Sequence, residues 1–278
     1  MRPLALAPQT LPTLRPQQFL RCAAQSGFQR VGVRILQGSP RNRPDDFPAA
    51  VRGANEIPEL RAILDGEGLA VVDLEFVLLD AETPVDAYRP FLEMGATLGA
   101  RYLVTCSMVP DPAQAAEKLQ ALCRWASEFD MSVAVEFLRY TAVKAVDDAV
   151  TLVRASGAEN AFVLLDCFHL HQADDRPENI LAYPASYFPY LQLCDAPGPP
   201  NPDDEEVMRQ ARTERLNPGE GVIDLAGIIR ALPPELPISL EVPNLVRTSQ
   251  IGEVAHAIRL RQDAEKLLRE IDARKKTR

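Results

Sequence analysis

Short apolar runs alternate with longer amphipathic segments along almost the whole chain. The apolar runs have the length of strands, and they predict strands over residues 4–7, 31–36, 69–79, 102–107, 133–138, 162–167, 190–196 and 238–244. The intervening segments have helical spacing and predict helices over residues 16–26, 57–66, 85–98, 112–128, 144–156, 177–182, 223–232 and 250–270. Asp111 is placed to cap the fourth of these helices, because Pro112 follows it at the first helical position.

This alternation of strands and helices indicates a parallel sheet with crossover connections. Eight strand–helix units in roughly 250 residues predict an α/β fold of the closed (β/α)8 TIM-barrel type. A doubly wound open sheet is the competing interpretation, but its usual glycine-rich turn does not follow the first strand, which runs into PQTLPTLRPQQ. We therefore expect one barrel domain over residues 1–278, with the basic end of the chain, residues 272–278, as a disordered tail.

Composition narrows the range of partners. The chain has 278 residues, of which 46% are hydrophobic, and a formal net charge of -9, which disfavours nucleic acid as a partner. No apolar run approaches the ~20 residues of a membrane span, and the N-terminus lacks the apolar core of a signal peptide. The five cysteines form no CxxC pair, so we expect free, mostly buried thiols and a cytoplasmic protein.

Polar residues interrupt the last four predicted strands. Each of these strands carries one oxygen-bearing side chain: Glu136, Asp166, Gln192 and Glu241. A carboxylate inside an apolar strand is costly unless it is paired or binds a metal, and the carboxyl ends of barrel strands share one mouth. Taken singly, a glutamate near a strand end is more often salt-bridged or hydrated than a metal ligand. Taken together, they predict a site for one divalent cation, with Mg²⁺ or Mn²⁺ suited to oxygen ligands.

A second group of residues follows the seventh strand, in RLNPGEGVIDL at residues 215–225. Gly219 and Gly221 permit backbone conformations closed to other residues, and the segment leads into a helix whose N-terminus is suited to an anionic substrate group. An ordinary glycine-rich turn is the plainer interpretation. Arg215 adds a donor fork for a substrate hydroxyl, carboxylate or phosphate.

Four motifs resemble those of one family. EF on strand five, LDCFH on strand six, R..PGEG.ID after strand seven and LEVPN on strand eight are similar to the xylose isomerase-like TIM barrels, which include sugar isomerases and epimerases, inosose dehydratase, 3-dehydroshikimate dehydratase and endonuclease IV. The resemblance implies that Glu136, Asp166 and Glu241 bind a metal and that His169 and Arg215 contact substrate oxygens. It covers most of the chain and says little about the substrate.

Gln192 departs from the family pattern, which has a metal-binding histidine at the start of H-x-x-D where this chain has Gln192-Leu193-Cys194-Asp195. A glutamine carbonyl is a neutral donor that suits Mg²⁺ or Mn²⁺ better than softer metals, although Co²⁺ and Zn²⁺ stay open. The substitution could equally mark a weakened or lost metal site. Asp195 either orients the site or begins the following loop.

The resemblance implies a metal-dependent isomerase or epimerase that acts on a sugar or keto-sugar through an enediolate. Glu136 and Glu241 are then the residues that remove and return the proton. Dehydration of a cyclic keto-polyol and a non-catalytic, partner-dependent barrel are the alternatives, and homo-oligomer formation stays open. Endonuclease activity is disfavoured, because the chain has three histidines and a net negative charge.

Three further residues received individual predictions. Glu75, on the third strand, either lines the substrate pocket or forms a structural salt bridge. His171 is expected in a solvated loop, and His256 is expected to be structural. The loops over 37–56, 80–85, 108–111 and 196–214 are expected to set substrate choice.

Overall fold

The computed structural model of the chain describes residues 2–35 and 50–275. In this part of the chain, eight parallel strands close into a barrel in chain order, with the first strand paired to both the second and the eighth. The strands are β1 (Leu4–Leu6), β2 (Arg30–Arg34), β3 (Ala70–Leu79), β4 (Tyr102–Ser107), β5 (Ser132–Glu136), β6 (Ala161–Asp166), β7 (Leu191–Leu193) and β8 (Ile238–Leu240). The predicted (β/α)8 TIM barrel is therefore confirmed.

Helices connect the strands and pack around the barrel. Within the described residues they are α1 (Pro16–Gln25), α2 (Ile57–Glu67), α3 (Arg89–Leu98), α4 (Pro112–Ser127), α5 (Val146–Ser156), α6 (Cys167–Gln172), α7 (Pro177–Leu181), α8 (Asp204–Thr213), α9 (Leu225–Arg230), α10 (Leu245–Ile251) and α11 (Glu253–Lys275). Short 3₁₀ turns cover Pro8–Thr10, Ala54–Glu56, Val85–Tyr88 and Ala185–Tyr187. The Asp111 side chain accepts a hydrogen bond from the Gln114 N–H at 2.7 Å, which confirms the predicted cap of α4.

Several element boundaries differ from the predicted ones. β7 and β8 are three residues each, and both are shorter than the predicted strands. The predicted last helix is divided at Gly252, whose φ of +80° ends α10, and α11 then continues to Lys275. Residues 272–275 are therefore helical rather than a disordered tail. Most of the predicted loop at 37–56 lies outside the described residues.

Two short helices were not predicted at all. α6 follows β6 directly and carries both His169 and His171, so His171 does not lie in the solvated loop that was expected. α8 lies within the segment 196–214, which was expected to be a loop. Both helices follow barrel strands at their carboxyl ends, and both therefore form part of the mouth of the barrel.

The core consists of the outer faces of the strands and the buried faces of the helices. All five cysteines are free thiols and are buried, as expected. None of the helices in the described part of the chain has both the length and the apolar composition required to cross a membrane.

Candidate active site

Four strands carry the polar residues of the barrel mouth in one layer. Inward-facing side chains of β4, β5, β6 and the start of β7 form an apolar layer: Val104, Ala134, Leu164 and Tyr190. Two residues later the same face carries Cys106, Glu136, Asp166 and Gln192. The strand register places Asp166 directly opposite Gln192. Alternation along parallel strands thus delivers these side chains to one end of the barrel.

Cys106, Glu136 and Gln192 of this layer line a cavity of about 430 Å³. The predicted site residues Glu75, Glu136, His169, Gln192, Arg215 and Glu241 all line it. A cavity of this volume suits a small organic ligand, since such sites typically occupy ~300–1,000 Å³.

Asp166 is the most tightly held of these residues. Its Oδ1 accepts hydrogen bonds from the backbone N–H groups of Phe168 at 2.7 Å and His169 at 3.0 Å, so that it caps α6. Its Oδ2 lies 2.7 Å from Nη1 of Arg215. Desolvation acts to raise the pKa of Asp166, but the charge of Arg215, the neighbouring His169 and these hydrogen bonds outweigh it and lower the pKa. Asp166 is therefore a fixed negative charge.

Arg215 is buried at the centre of the polar cluster, with 2% of its surface exposed. Besides Asp166, its Nη1 contacts Oε2 of Glu241 at 2.9 Å, and its Nε donates to the carbonyl oxygen of Ala211 at 2.9 Å. Its Nη2 lies 3.3 Å from Nε2 of His169. Arg215, predicted as a substrate contact, lines the cavity but is already paired with two carboxylates.

The imidazole of His169 is close to the carboxylates of the cluster. Its Nε2 is 3.8 Å from Oε1 of Glu136. Burial has the largest effect on the pKa of His169 and lowers it. Asp166 opposes this shift and Arg215 adds to it, and the resulting pKa is about 4. The imidazole is therefore neutral at pH 7, and its buried Nδ1 forms no hydrogen bond with any described residue.

One group of ligand-type atoms is close enough to surround a cation. Within the described residues, Glu136, Asp166 and His169 each place one such atom within 4.8 Å of the others. Glu241 is connected to this group through Arg215 instead. The structure thus brings together two of the three predicted carboxylates and adds the histidine that was predicted to contact substrate.

Burial and neighbouring carboxylates shift the pKa values of Glu136 and Glu241, the two catalytic candidates. Desolvation, Glu241 and Asp166 together raise the pKa of Glu136 well above its usual range. Desolvation also raises the pKa of Glu241 to about 8, although Arg215 opposes it. A divalent cation is the counter-charge that would keep such a pair ionised.

Gln192 is 2% exposed and faces the cavity. Its Oε1 is buried, and it accepts no hydrogen bond from any residue in the ranges 2–35 and 50–275. A buried oxygen of this kind has a high energetic cost unless it binds something. Together with two carboxylates and a neutral imidazole, it completes a donor set that fits a divalent cation.

Glu75 both lines the cavity and forms a salt bridge, so the two interpretations offered for it are compatible. It is buried and pairs with Arg34, whose guanidinium also contacts Gln9 and lies 5.6 Å from the ring centre of Phe76. Desolvation, opposed by Arg34, raises the pKa of Glu75 to about 7.

Asp195 organises the loop after β7. Its buried carboxylate accepts hydrogen bonds from the backbone N–H groups of Ala196, Gly219, Gly221 and Ile223 at 2.9–3.0 Å. A Cβ at Gly221 would lie 2.2 Å from the carbonyl oxygen of Ala196 and 2.5 Å from Oδ1 of Asp195, which explains the glycine. The N–H groups of this loop are bound to Asp195, so the expectation that the loop binds an anionic substrate group is wrong.

The two other histidines are fixed by backbone oxygens. His171 is half-buried on α6, with its Nε2 2.9 Å from the carbonyl oxygen of Gly198. His256 is fully buried, with its Nε2 3.0 Å from the carbonyl oxygen of Val242, and is structural as expected.

Residues of α8 and of the segment after β5 were missed by the sequence analysis. Met208, Ala211 and Arg212 of α8 line the cavity, as does Tyr140. The acidic start of α8, capped by Asp203, was the sequence signal for this helix.

Comparisons with known proteins agree with this geometry. A family model described as xylose isomerase-like TIM barrel matches residues 20–269. The 3-dehydroshikimate dehydratase of Pseudomonas aeruginosa is 30% identical over 156 residues, which are 53% of this chain and 24% of that protein. The inosose isomerase of Bacillus velezensis is 23% identical over 158 residues, which are 53% of this chain and 54% of that protein. This chain thus matches about a quarter and about half of the length of these relatives.

A solved structure shares the whole fold. The IOLI protein with a bound zinc atom superimposes with a TM-score of 0.79, covering 98% of this chain and 99% of that one at 16% identity. At that identity the likeness concerns the fold alone.

Proposed function

This chain belongs to the xylose isomerase-like TIM barrel family, and from that premise we propose that it is a divalent-metal-dependent isomerase or epimerase of a keto-sugar or keto-polyol. The proposed reaction moves a proton on the carbon beside a carbonyl group. The arrangement of Glu136 and Glu241 carries the proposal. They line one cavity from β5 and from the end of β8, and the residues of β6 and β7 lie between them.

The metal site is proposed from the donor set described above. Glu136, Asp166 and His169 would hold the cation, with Oε1 of Gln192 beside them and Glu241 within reach of the same substrate. A bound divalent cation supplies a Lewis acid for the carbonyl oxygen. Magnesium and manganese suit the oxygen donors, while the zinc in the IOLI structure and the imidazole of His169 keep zinc as an alternative.

The protein's own residues would carry out the proton transfer. One of Glu136 and Glu241 removes the proton as a carboxylate, and the other returns it as an acid. Burial raises the pKa of both groups, that of Glu241 to about 8, and so favours the protonated form that returns a proton. The guanidinium of Arg215 stabilises negative charge that develops on a substrate oxygen as an enediolate forms.

Dehydration is a second candidate function, favoured by the relative that is 30% identical and named as a dehydratase. It begins with the same removal of a proton beside a carbonyl. It then differs because a β-hydroxyl group leaves, instead of a proton returning to the second face. Product analysis separates the two outcomes.

The test is hydrogen exchange followed by NMR in D₂O. The purified chain is first analysed for its metals and then incubated with a panel of keto-sugars and cyclic keto-polyols. We expect deuterium to enter the carbon beside the carbonyl, and we expect Glu136→Gln and Glu241→Gln each to slow this by about 10²–10⁴-fold.

Glu117→Gln is the matched control, because Glu117 is exposed on α4 and is not among the residues that line the cavity. It should exchange at the rate of the wild type. Unchanged exchange in both cavity variants would show that the assigned roles are wrong.

A further inference from the structure

The charged side chains that line the cavity are not all compensated. They are three arginines and three glutamates: Arg34, Arg212, Arg215, Glu75, Glu136 and Glu241. Arg34 pairs with Glu75, and Arg215 pairs with Glu241 and with Asp166 below it. Arg212 is exposed at the mouth, and the structure records neither a hydrogen bond nor an ion pair between it and any other described residue.

The lack of a partner for Arg212 follows from how the acids around α8 are used. Glu206 and Glu214 both bind Arg209, at 2.7 and 2.6 Å. Asp204 lies 2.9 Å from Nε of Arg139. Asp204, Glu206 and Glu214 are therefore each paired with an arginine other than Arg212.

Arg212 lies on the face of α8 that lines the cavity. Met208, Ala211 and Arg212 stand at i, i+3 and i+4, so they share a helix face, and all three line the cavity. Arg215, two residues after the end of α8, lies in the buried cluster. The helix and the residues that follow it thus place one arginine at the mouth and one at the reacting centre.

Tyr140 provides a neutral donor beside Arg212. It is half-buried, lines the cavity and lies edge-on to His169, with ring centres 6.2 Å apart. A phenol is protonated at neutral pH, so the Tyr140 hydroxyl group can donate a hydrogen bond. No described residue forms a hydrogen bond with its hydroxyl group in this structure.

We propose that Arg212 and the Tyr140 hydroxyl form a subsite for an anionic group, a carboxylate or a phosphate, at the end of the substrate remote from the reacting carbonyl. The substrate class is then an acidic or phosphorylated keto-polyol rather than a neutral sugar. This inference rests on the proposed function, because it concerns the same cavity. A planar guanidinium matches either anion by two parallel hydrogen bonds.

The test measures binding rather than turnover. Isothermal titration calorimetry of the full chain with Mn²⁺ uses two pairs of probes that differ in charge: shikimate with methyl shikimate, and D-fructose 6-phosphate with D-fructose. We expect the wild type to bind the anionic member of at least one pair about 10- to 100-fold more tightly than its partner, as charge-assisted hydrogen bonds predict. The pair that shows the preference identifies the anion as carboxylate or phosphate.

Three variants assign the preference to a residue. Arg212→Gln should abolish it, and Arg212→Lys should retain part of it, because the charge stays but the fork is lost. Arg209→Gln on the same helix should leave it intact, since Arg209 binds Glu206 and Glu214 away from the cavity. Circular dichroism verifies that each variant is folded.

The outcomes separate this inference from the proposed function. Equal binding of charged and neutral probes by the wild type, no binding of either anion at millimolar concentration, or a preference that survives Arg212→Gln would each overturn the subsite. A charge preference without deuterium exchange on any substrate would retain the subsite and reject the proposed function. Deuterium exchange without a charge preference would retain the proposed function and reject the subsite.

Discussion

Replacement of Arg215 by methionine tests the central electrostatic feature of the site. The substitution keeps much of the side-chain volume but removes the cation that binds Asp166 at 2.7 Å and Glu241 at 2.9 Å. All three side chains are at least 93% buried. Removing one partner of a buried ion pair typically costs about 3–5 kcal/mol, because the remaining charge is left in a dry environment.

Protonation of Asp166 limits this cost and makes it depend on pH. From an ordinary pKa of ~3.9, neutralising an aspartate costs about 4 kcal/mol at pH 7 but only about 1.5 kcal/mol at pH 5. In the wild type the pKa of Asp166 is lowered, so the stability it contributes is present at neutral pH and is lost as the pH falls. We therefore expect Arg215→Met to destabilise the metal-free protein by about 3–4 kcal/mol at pH 7 and by clearly less at pH 5.

Thermal unfolding in EDTA at both pH values measures this effect. At roughly 2–4 °C per kcal/mol, the midpoint should fall by about 6–16 °C at pH 7. Addition of Mn²⁺ should then raise the midpoint of the variant more than that of the wild type, because a cation replaces the missing guanidinium.

Arg209→Met is the matched control for this experiment. Arg209 also binds two glutamates, but on an exposed surface, where such pairs contribute only about 0–1 kcal/mol. A loss below about 1 kcal/mol in Arg215→Met at pH 7, or an equal loss at the two pH values, would refute the assigned electrostatics.

Three further predictions follow from the same contacts. Asp195→Ala should cost about 3–5 kcal/mol in urea denaturation, because four backbone N–H groups lose their acceptor, whereas Asp111→Ala, at an exposed helix cap, should cost about 1 kcal/mol. Burial raises the pKa of Asp73 to about 7, so the metal-free wild type should lose stability between pH 5 and 8, and Asp73→Asn should show a smaller loss over this range. Gln192→His should bind Zn²⁺ more tightly relative to Mg²⁺ in a competition titration; an unchanged ratio would place residue 192 outside the metal site.

The barrel was predictable because its signal is repeated. Eight apolar runs separated by helical segments leave few alternatives once the connections must be parallel. The inward carboxylates on β5 and β6 were equally visible, since alternation along a strand assigns Glu136 and Asp166 to the side of the apolar interior. Here a local pattern is enough to determine the position of each residue.

The contents of the mouth were less predictable, because they depend on contacts between residues distant in sequence. α6 is six residues long and begins immediately after a strand, so its apolar residues read as a continuation of that strand. The loop of Gly219 and Gly221 has the composition of an anion-binding turn. Only the fold shows that the carboxylate of Asp195 occupies its N–H groups. The anion that such a loop binds therefore depends on residues that are distant in the sequence.

The structure also changes the interpretation of Gln192. From the sequence, a glutamine in place of the family's histidine weakens the case for a metal, because an imidazole is lost from the donor set. In the structure His169, from the first turn of α6, lies among the carboxylates with a neutral ring, and Gln192 leaves a buried oxygen beside Asp166 on the neighbouring strand. Since Arg215 is already paired with Asp166 and Glu241, a cation that enters this cluster must share those carboxylates with the guanidinium. We therefore expect the affinity of the proposed metal site to depend on Arg215 as well as on the residue at position 192.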